Sequence, residues 1–160
     1  DQYAPQLPCP RMVPPSAAPP ARYVGGAEIG ARDREQTRLV LGFEGSAFLA
    51  PEDCAISIFA KVLGGGSSSR LFQEVREKRG LCYSVWAGYS SLKGSGSIFG
   101  YAGTSNDRAQ ATLDCFIGEL HRLQSGVSEP ERQRSKIGLQ SSTIMQCDST
   151  SPVAGPIPHY

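Results

Sequence analysis

The chain has two histidines, and they bear first on whether it could do metal chemistry. A hydrolytic zinc site wants two His one helical turn apart, as in His-x-x-Glu-His or its reverse, because only then do both imidazoles reach one ion. His121 and His159 stand 38 positions apart, and His121, inside Glu119-Leu120-His121-Arg122, has no partner at helical spacing. No metal-ligand set is read from this chain, and His121 reads as a helix-surface residue. A nucleophilic serine wants a Gly-x-Ser-x-Gly elbow with a base beside it, whereas Gly94-Ser95-Gly96-Ser97 has the composition of a turn. Cys82 follows the basic stretch Arg76 to Arg79, which favours a thiolate. The negative partial charge of a helix C-terminus opposes it, so Cys82 is not assigned a catalytic role.

The run Gly64-Gly65-Gly66-Ser67-Ser68-Ser69-Arg70 invites comparison with a phosphate-binding loop, since glycines ahead of a helix expose backbone donors to an anion. It lacks the Gly-Lys-Ser/Thr ending, and a helix rather than a strand precedes it. A tight helix-to-helix turn is the plainer reading, with anion binding the alternative. The other chemically equipped stretch is Val75-Arg76-Glu77-Lys78-Arg79-Gly80-Leu81-Cys82-Tyr83-Ser84, where a helix ends, a glycine breaks it and a strand begins. Arg76 brings a permanently charged, multiply donating guanidinium and Tyr83 a phenol donor, seven positions apart. On residue type alone they are either a surface cation and a packing aromatic, or two donors reaching one polar ligand.

The elements that must position this junction follow from periodicity. Arg22-Tyr23-Val24 predicts a short edge strand, and Thr37 to Phe43 is a continuous β-rich run that suits a buried strand. Pro51-Glu52-Asp53 starts a helix carried by Ala55, Ile56, Phe59, Val62 and Leu63 to the stop at Gly64-Gly65-Gly66. Ser67-Ser68-Ser69 predicts the cap of a second helix, Arg70 to Arg79, with Leu71, Phe72 and Val75 on one face; its charges are a solvated face or a ligand-facing patch. Leu81 to Ser90 alternates as a strand and turns at Lys93-Gly94-Ser95-Gly96 into Ser97 to Gly103, an antiparallel hairpin. Asn106-Asp107 is read as the cap of a helix ending near Gly126, and Ser128-Glu129-Pro130-Glu131 opens another running to about Cys147. The sum is an α+β fold, a two-layer mainly antiparallel sheet with helices packed on one face.

The bulk properties bound what this fold could serve. At 160 residues and 39% hydrophobic content the chain has the size and core of one domain, and no apolar run approaches the roughly 20 residues of a membrane span. It reads as soluble. With 16 Lys+Arg against 15 Asp+Glu, no basic face advertises nucleic acid. The five cysteines, Cys9, Cys54, Cys82, Cys115 and Cys147, form no C-x-x-C pair and read as free thiols, which suits a reducing compartment: bacterial cytoplasm, or alternatively the mitochondrial matrix. Seven prolines between Tyr3 and Ala21 make residues 1–21 a semi-rigid linker. Pro152, Pro156 and Pro158 make 151–160 an irregular tail, leaving 22–150 as the domain. The start at Asp1, without Met or a signal-like apolar run, reads as that of a fragment or a processed piece.

The stretch Leu63 to Ser84 closely resembles the second, non-zinc half of pitrilysin/insulinase-type peptidases of the processing-peptidase-like branch. The resemblance extends to Val40-Leu41-Gly42-Phe43-Glu44-Gly45, to Tyr101-Ala102-Gly103-Thr104 and to the helix Arg134 to Thr150, roughly Arg22 to Thr150 in all. It implies a fold of the processing-peptidase/LuxS-like metallohydrolase kind, in which two similar α+β halves close around a peptide. Zinc would be held by the first half, in the same parent chain or in a partner subunit, and not by this chain. Arg76 and Tyr83 match in identity and spacing the pair by which the second half reaches the bound peptide, so the resemblance implies that both bind substrate and assist catalysis. Residues 1–21 would lie where the two halves are joined. The departure is at the end, where Ser151 to Tyr160 replaces continued helix and a final strand; the sheet is expected to lack a member, to expose an edge, and to be inactive alone. The rival reading is a non-catalytic scaffold or core subunit of the same fold.

Overall fold

The computed structural model describes residues 22–148. The expected linker 1–21, the tail 151–160 and the last two residues of the expected domain lie outside them. Among the described residues the sheet has three antiparallel strands, β1 (Gln36–Gly45), β2 (Ser84–Leu92) and β3 (Ser95–Ser105), in the order β1-β3-β2. The hairpin β2-β3 pairs Val85 and β1 pairs Leu39 with the same residue, Ala102, so one row of small and branched side chains crosses the whole sheet. Against that face lie α1 (Asp53–Gly64), a π-helix (Phe72–Lys78) and α2 (Ala109–Gln124), while α3 (Glu129–Asp148) packs on α1. This is the α+β arrangement that the periodicities predict.

The core is built where the two layers meet. Leu63 of α1, Leu71 and Val75 flanking and within the π-helix, and Phe116 of α2 are fully buried on Val85, Ala87 and Ala102 of the sheet. Burying each of the large side chains stabilises by about 1.5–3 kcal/mol. The close approach of α1 to β2 depends on Gly64: a Cβ there would stand 2.1 Å from the Ala87 backbone nitrogen. The first glycine of the triplet therefore serves layer packing as well as ending a helix.

Several local expectations are corrected. The run Thr37 to Phe43 is a strand, but not a buried one: β1 lies at the sheet edge, and only Leu39 and Leu41 turn to the core while Val40 is 73% exposed. Its continuous apolar character belongs to two faces, one of which no described element covers. Residues 22–24 form no strand; Tyr23 is tied down by its hydroxyl, which donates to Gly42 O at 3.1 Å. Ser69 does not cap the second helix, because its hydroxyl donates back to Gly66 O at 2.6 Å instead of accepting a helix N–H. Asn106 starts a 3-10 turn (Asn106–Arg108) before α2 and caps nothing. Its side chain accepts from Thr37 Oγ1 at 2.7 Å and donates to Arg34 O at 2.8 Å, stapling the entry to β1.

Candidate functional site

The junction between the π-helix and β2 is held from four sides. A π-helix carries one more residue per hydrogen-bonded loop than an α-helix, is rare, and is frequent at functional sites. Here it closes at Gly80, whose φ of +60° an L-residue adopts only at a cost. The Gly80 N–H donates to Arg76 O at 3.0 Å and the Leu81 N–H to Val75 O at 2.9 Å. The carbonyls on the way out are also taken. Arg108 Nη1 donates to Gly80 O at 2.8 Å, and the Thr104 hydroxyl of β3 donates to Leu81 O at 2.5 Å. Thr112 of α2 lies behind, its hydroxyl donating to Arg108 O at 2.8 Å and standing 3.2 Å from Thr104 Oγ1. Finally the Tyr83 N–H donates to Gly103 O at 2.8 Å, starting the β2-β3 ladder one residue ahead of the strand. Both threonines are fully buried, so these bonds are shielded from competing water.

On this pinned backbone the two side chains singled out by sequence are free. Arg76 and Tyr83 are both exposed, Tyr83 at 61%, and neither side chain has a hydrogen-bond or ion-pair partner among the described residues. Arg76 is not loose: its guanidinium carbon sits 4.7 Å above the centre of the Phe72 ring, one turn earlier in the π-helix. Two of the neighbouring cations are otherwise occupied. Lys78 pairs with Glu74 at 2.5 Å, and Arg70 makes a two-pronged bond to Glu131 at 2.7 and 2.9 Å, tying the helix start to α3. Of the expected patch Arg70 to Arg79, then, Arg70 and Lys78 are paired, while Arg76 and Arg79 are presented outward.

Cys82, between the two, is buried. Burial pushes its thiol up, against a smaller downward pull from Arg76, so it is a packing residue and a poor nucleophile. Beyond Tyr83 the sheet face turned away from the helices carries Trp86, with Phe99 edge-on at 5.3 Å and Tyr101 tilted at 6.0 Å. Val40 stands in the same row, paired through Tyr101. Phe72, Thr104 and Arg108 were not singled out from the sequence. The only trace of them there is Thr104 at the end of Tyr101-Ala102-Gly103-Thr104 and Phe72 within the helix face.

The residues present do not fit a zinc ion. His121 is exposed on α2, and among the described residues no three His, Cys, Asp or Glu side chains come together in a way that could hold a metal. What the arrangement can do chemically is donate: a charged guanidinium and a phenol, both directed to solvent from a rigid turn. No described helix is long and apolar enough to cross a membrane.

Comparison with known proteins places this geometry in a family. The family model described as the peptidase M16 inactive domain matches residues 3–139. A protein named as an uncharacterized zinc protease in Rickettsia felis is 39% identical over 127 residues, which cover 79% of this chain and 31% of that protein. Another of the same description in Streptomyces coelicolor is 36% identical over 140 residues, 87% of this chain and 30% of that protein. Among solved structures, the peptidase M16 inactive domain from Pseudomonas fluorescens superposes with a TM-score of 0.64 at 31% identity, covering 68% of this chain and 27% of that one. A protease from Helicobacter pylori superposes with a TM-score of 0.69 at 26% identity, covering 78% and 31%. The chain spans just under a third of the length of the curated relatives it matches.

Proposed function

Because this chain belongs to the peptidase M16 inactive-domain family, we propose that it is the substrate-holding half of a two-half zinc peptidase, with Arg76 and Tyr83 as the groups that touch the bound peptide. The observation that carries the reading is the pair itself: two exposed, unpartnered donors seven residues apart on a backbone whose own donors and acceptors are internally satisfied. Polar side chains left free on an otherwise tightly bonded turn are suited to an external acceptor, and a peptide backbone offers carbonyls at short intervals.

The chemistry assigns each a role. Attack of water on a peptide carbonyl builds negative charge on its oxygen, and a donor aimed at that oxygen stabilises the transition state more than the ground state. Tyr83 donates its phenolic proton in a hydrogen bond to this oxygen or to the adjacent carbonyl. Arg76, always charged and held on Phe72, grips the peptide backbone beside it and fixes its position. Zinc, which polarises the carbonyl, and the base that activates water are contributions of the other half, in the same parent chain or in a partner subunit. By itself this half binds no metal and hydrolyses nothing.

The test is Tyr83→Phe in the complete two-half protein. Removing one oxyanion donor typically costs about 100 to 1000-fold in rate, so turnover should drop by that order with zinc content unchanged. Turnover close to the parent's would reject the assignment of Tyr83 and favour a non-catalytic scaffold of the same fold.

A further inference from the structure

We propose that the cleft between the end of α1 and the first half of α3 binds one small doubly charged oxyanion of the phosphate class, held by Lys61 and Arg134. The inference is independent of the Arg76 and Tyr83 reading. The cleft has a volume of about 120 Å³ and is lined by Lys61, Gly65, Ser68, Glu131, Arg134 and Ser135. That is room for a single tetrahedral ion.

Lys61 is placed there by two glycines. A Cβ at Gly65 would stand 2.4 Å from Lys61 Cδ, and one at Gly138 would stand 3.2 Å from Lys61 Cε. The lysine stem thus runs through a slot opened by the absence of side chains on both helices' sides, and its ammonium arrives against α3. A half-buried lysine in such a slot ordinarily ends on a carboxylate. Among the described residues Lys61 forms no ion pair or side-chain hydrogen bond, and neither does Arg134. The one acid in the wall is already committed. Glu131 accepts two bonds from Arg70 and one each from the Ser128 N–H and hydroxyl, and Arg70 holds its carboxyl down to about 2.

Two cations therefore face one small space with their local acid neutralised by a third, an arrangement that an entering dianion relieves. Ser68 and the buried Ser135 add hydroxyl donors. The site also differs from a phosphate loop, although it borders the Gly64 to Ser69 run. The Gly65 and Ser69 N–H groups are taken by Lys61 O and Gly66 O, each at 3.0 Å, so side chains and not the glycine backbone supply the charge. An ion seated there bridges α1 to α3.

The test is titration of the full 160-residue chain with inorganic phosphate at ionic strength held constant with chloride, followed by calorimetry and by phosphorus NMR line width. Saturable binding of one ion is expected. Lys61→Gln and Arg134→Gln should each weaken it about tenfold or more, as loss of a charged hydrogen bond implies. Lys61→Arg should keep the affinity within about threefold, and Arg38→Gln, on the far face of the sheet, should leave it unchanged. Circular dichroism of each variant separates lost binding from lost fold, and the exposed Arg134 variant carries the test if Lys61→Gln does not fold. Non-saturable binding, or parental affinity in both glutamine variants, would overturn the proposal.

Discussion

The guanidinium of Arg76 lying on the ring of Phe72 is the contact that converts an exposed, flexible side chain into a directed one. A cation–π contact at an exposed site is worth about 0.5–1 kcal/mol. Phe72→Leu in the complete protein should therefore lower kcat/KM by about two- to fivefold, and Phe72→Tyr, which keeps the ring, should restore it. Equal losses in both variants would mean that Phe72 acts only through packing. Arg76 and Tyr83 could be singled out from the sequence because the family resemblance that pairs them falls within one continuous stretch of ten residues. Their supports were not. Thr104, Arg108 and Thr112 act through contacts with a turn more than twenty residues away, and no local pattern marks a threonine whose hydroxyl caps a distant carbonyl. Asn106 shows the same limit from the other side: its type suits a helix cap, yet the nearby Thr37 hydroxyl and Arg34 carbonyl take its side chain.

The π-helix and β2 keep their relation through the Leu81 carbonyl, and this can be loosened without touching either proposed donor. Thr104→Val is nearly isosteric and takes from that buried acceptor the shorter of its two hydroxyl bonds, leaving the Thr112 hydroxyl at 3.1 Å, a loss of about 0.5–1.5 kcal/mol in stability. It should also reduce turnover of the complete protein while leaving zinc content alone. A destabilised variant with undiminished turnover at a temperature where it is fully folded would show that the clamp does not position the site. The Arg70 to Glu131 bond joins the start of the same helix to α3 and has a pH signature. Glu131 is held at about 2 against an ordinary value near 4.5, chiefly by Arg70, so its contribution is complete above about 4.5 and is lost as pH falls through about 2. The urea midpoint should fall across that window, and Arg70→Met should lower stability at pH 5 and flatten the acid slope. An unchanged slope would remove the pair from the account; Glu129 shifts in the same direction but is exposed, and contributes little. Element types and order were readable because apolar periods of 3.6 and 2 are local. The π character of the helix was not, since an apolar pair such as Leu71 and Val75 suits either helix.

At the scale of the whole molecule the layers are unequal. One face of the sheet is covered by helices, while the other presents Val40, Trp86, Phe99 and Tyr101, and among the described residues β1 and β2 are both edge strands. Unpaired edges and an apolar face are features that stable proteins normally cover or charge. That β1 serves as an edge could not be read from its sequence, because a run such as Leu39-Val40-Leu41 suits a strand buried on both faces equally well. The aromatic cluster has a spectroscopic consequence. Trp86 is the only tryptophan in the chain, it is 44% exposed, and it sits on the open face three residues after Tyr83, which precedes β2. Indole emission moves to shorter wavelength as water leaves the ring, so this chain carries its own optical reporter on the sheet face that no described element covers. Titrating a tryptophan-free first half into it should shift the emission to the blue with a saturable midpoint, without a label and without any need for turnover.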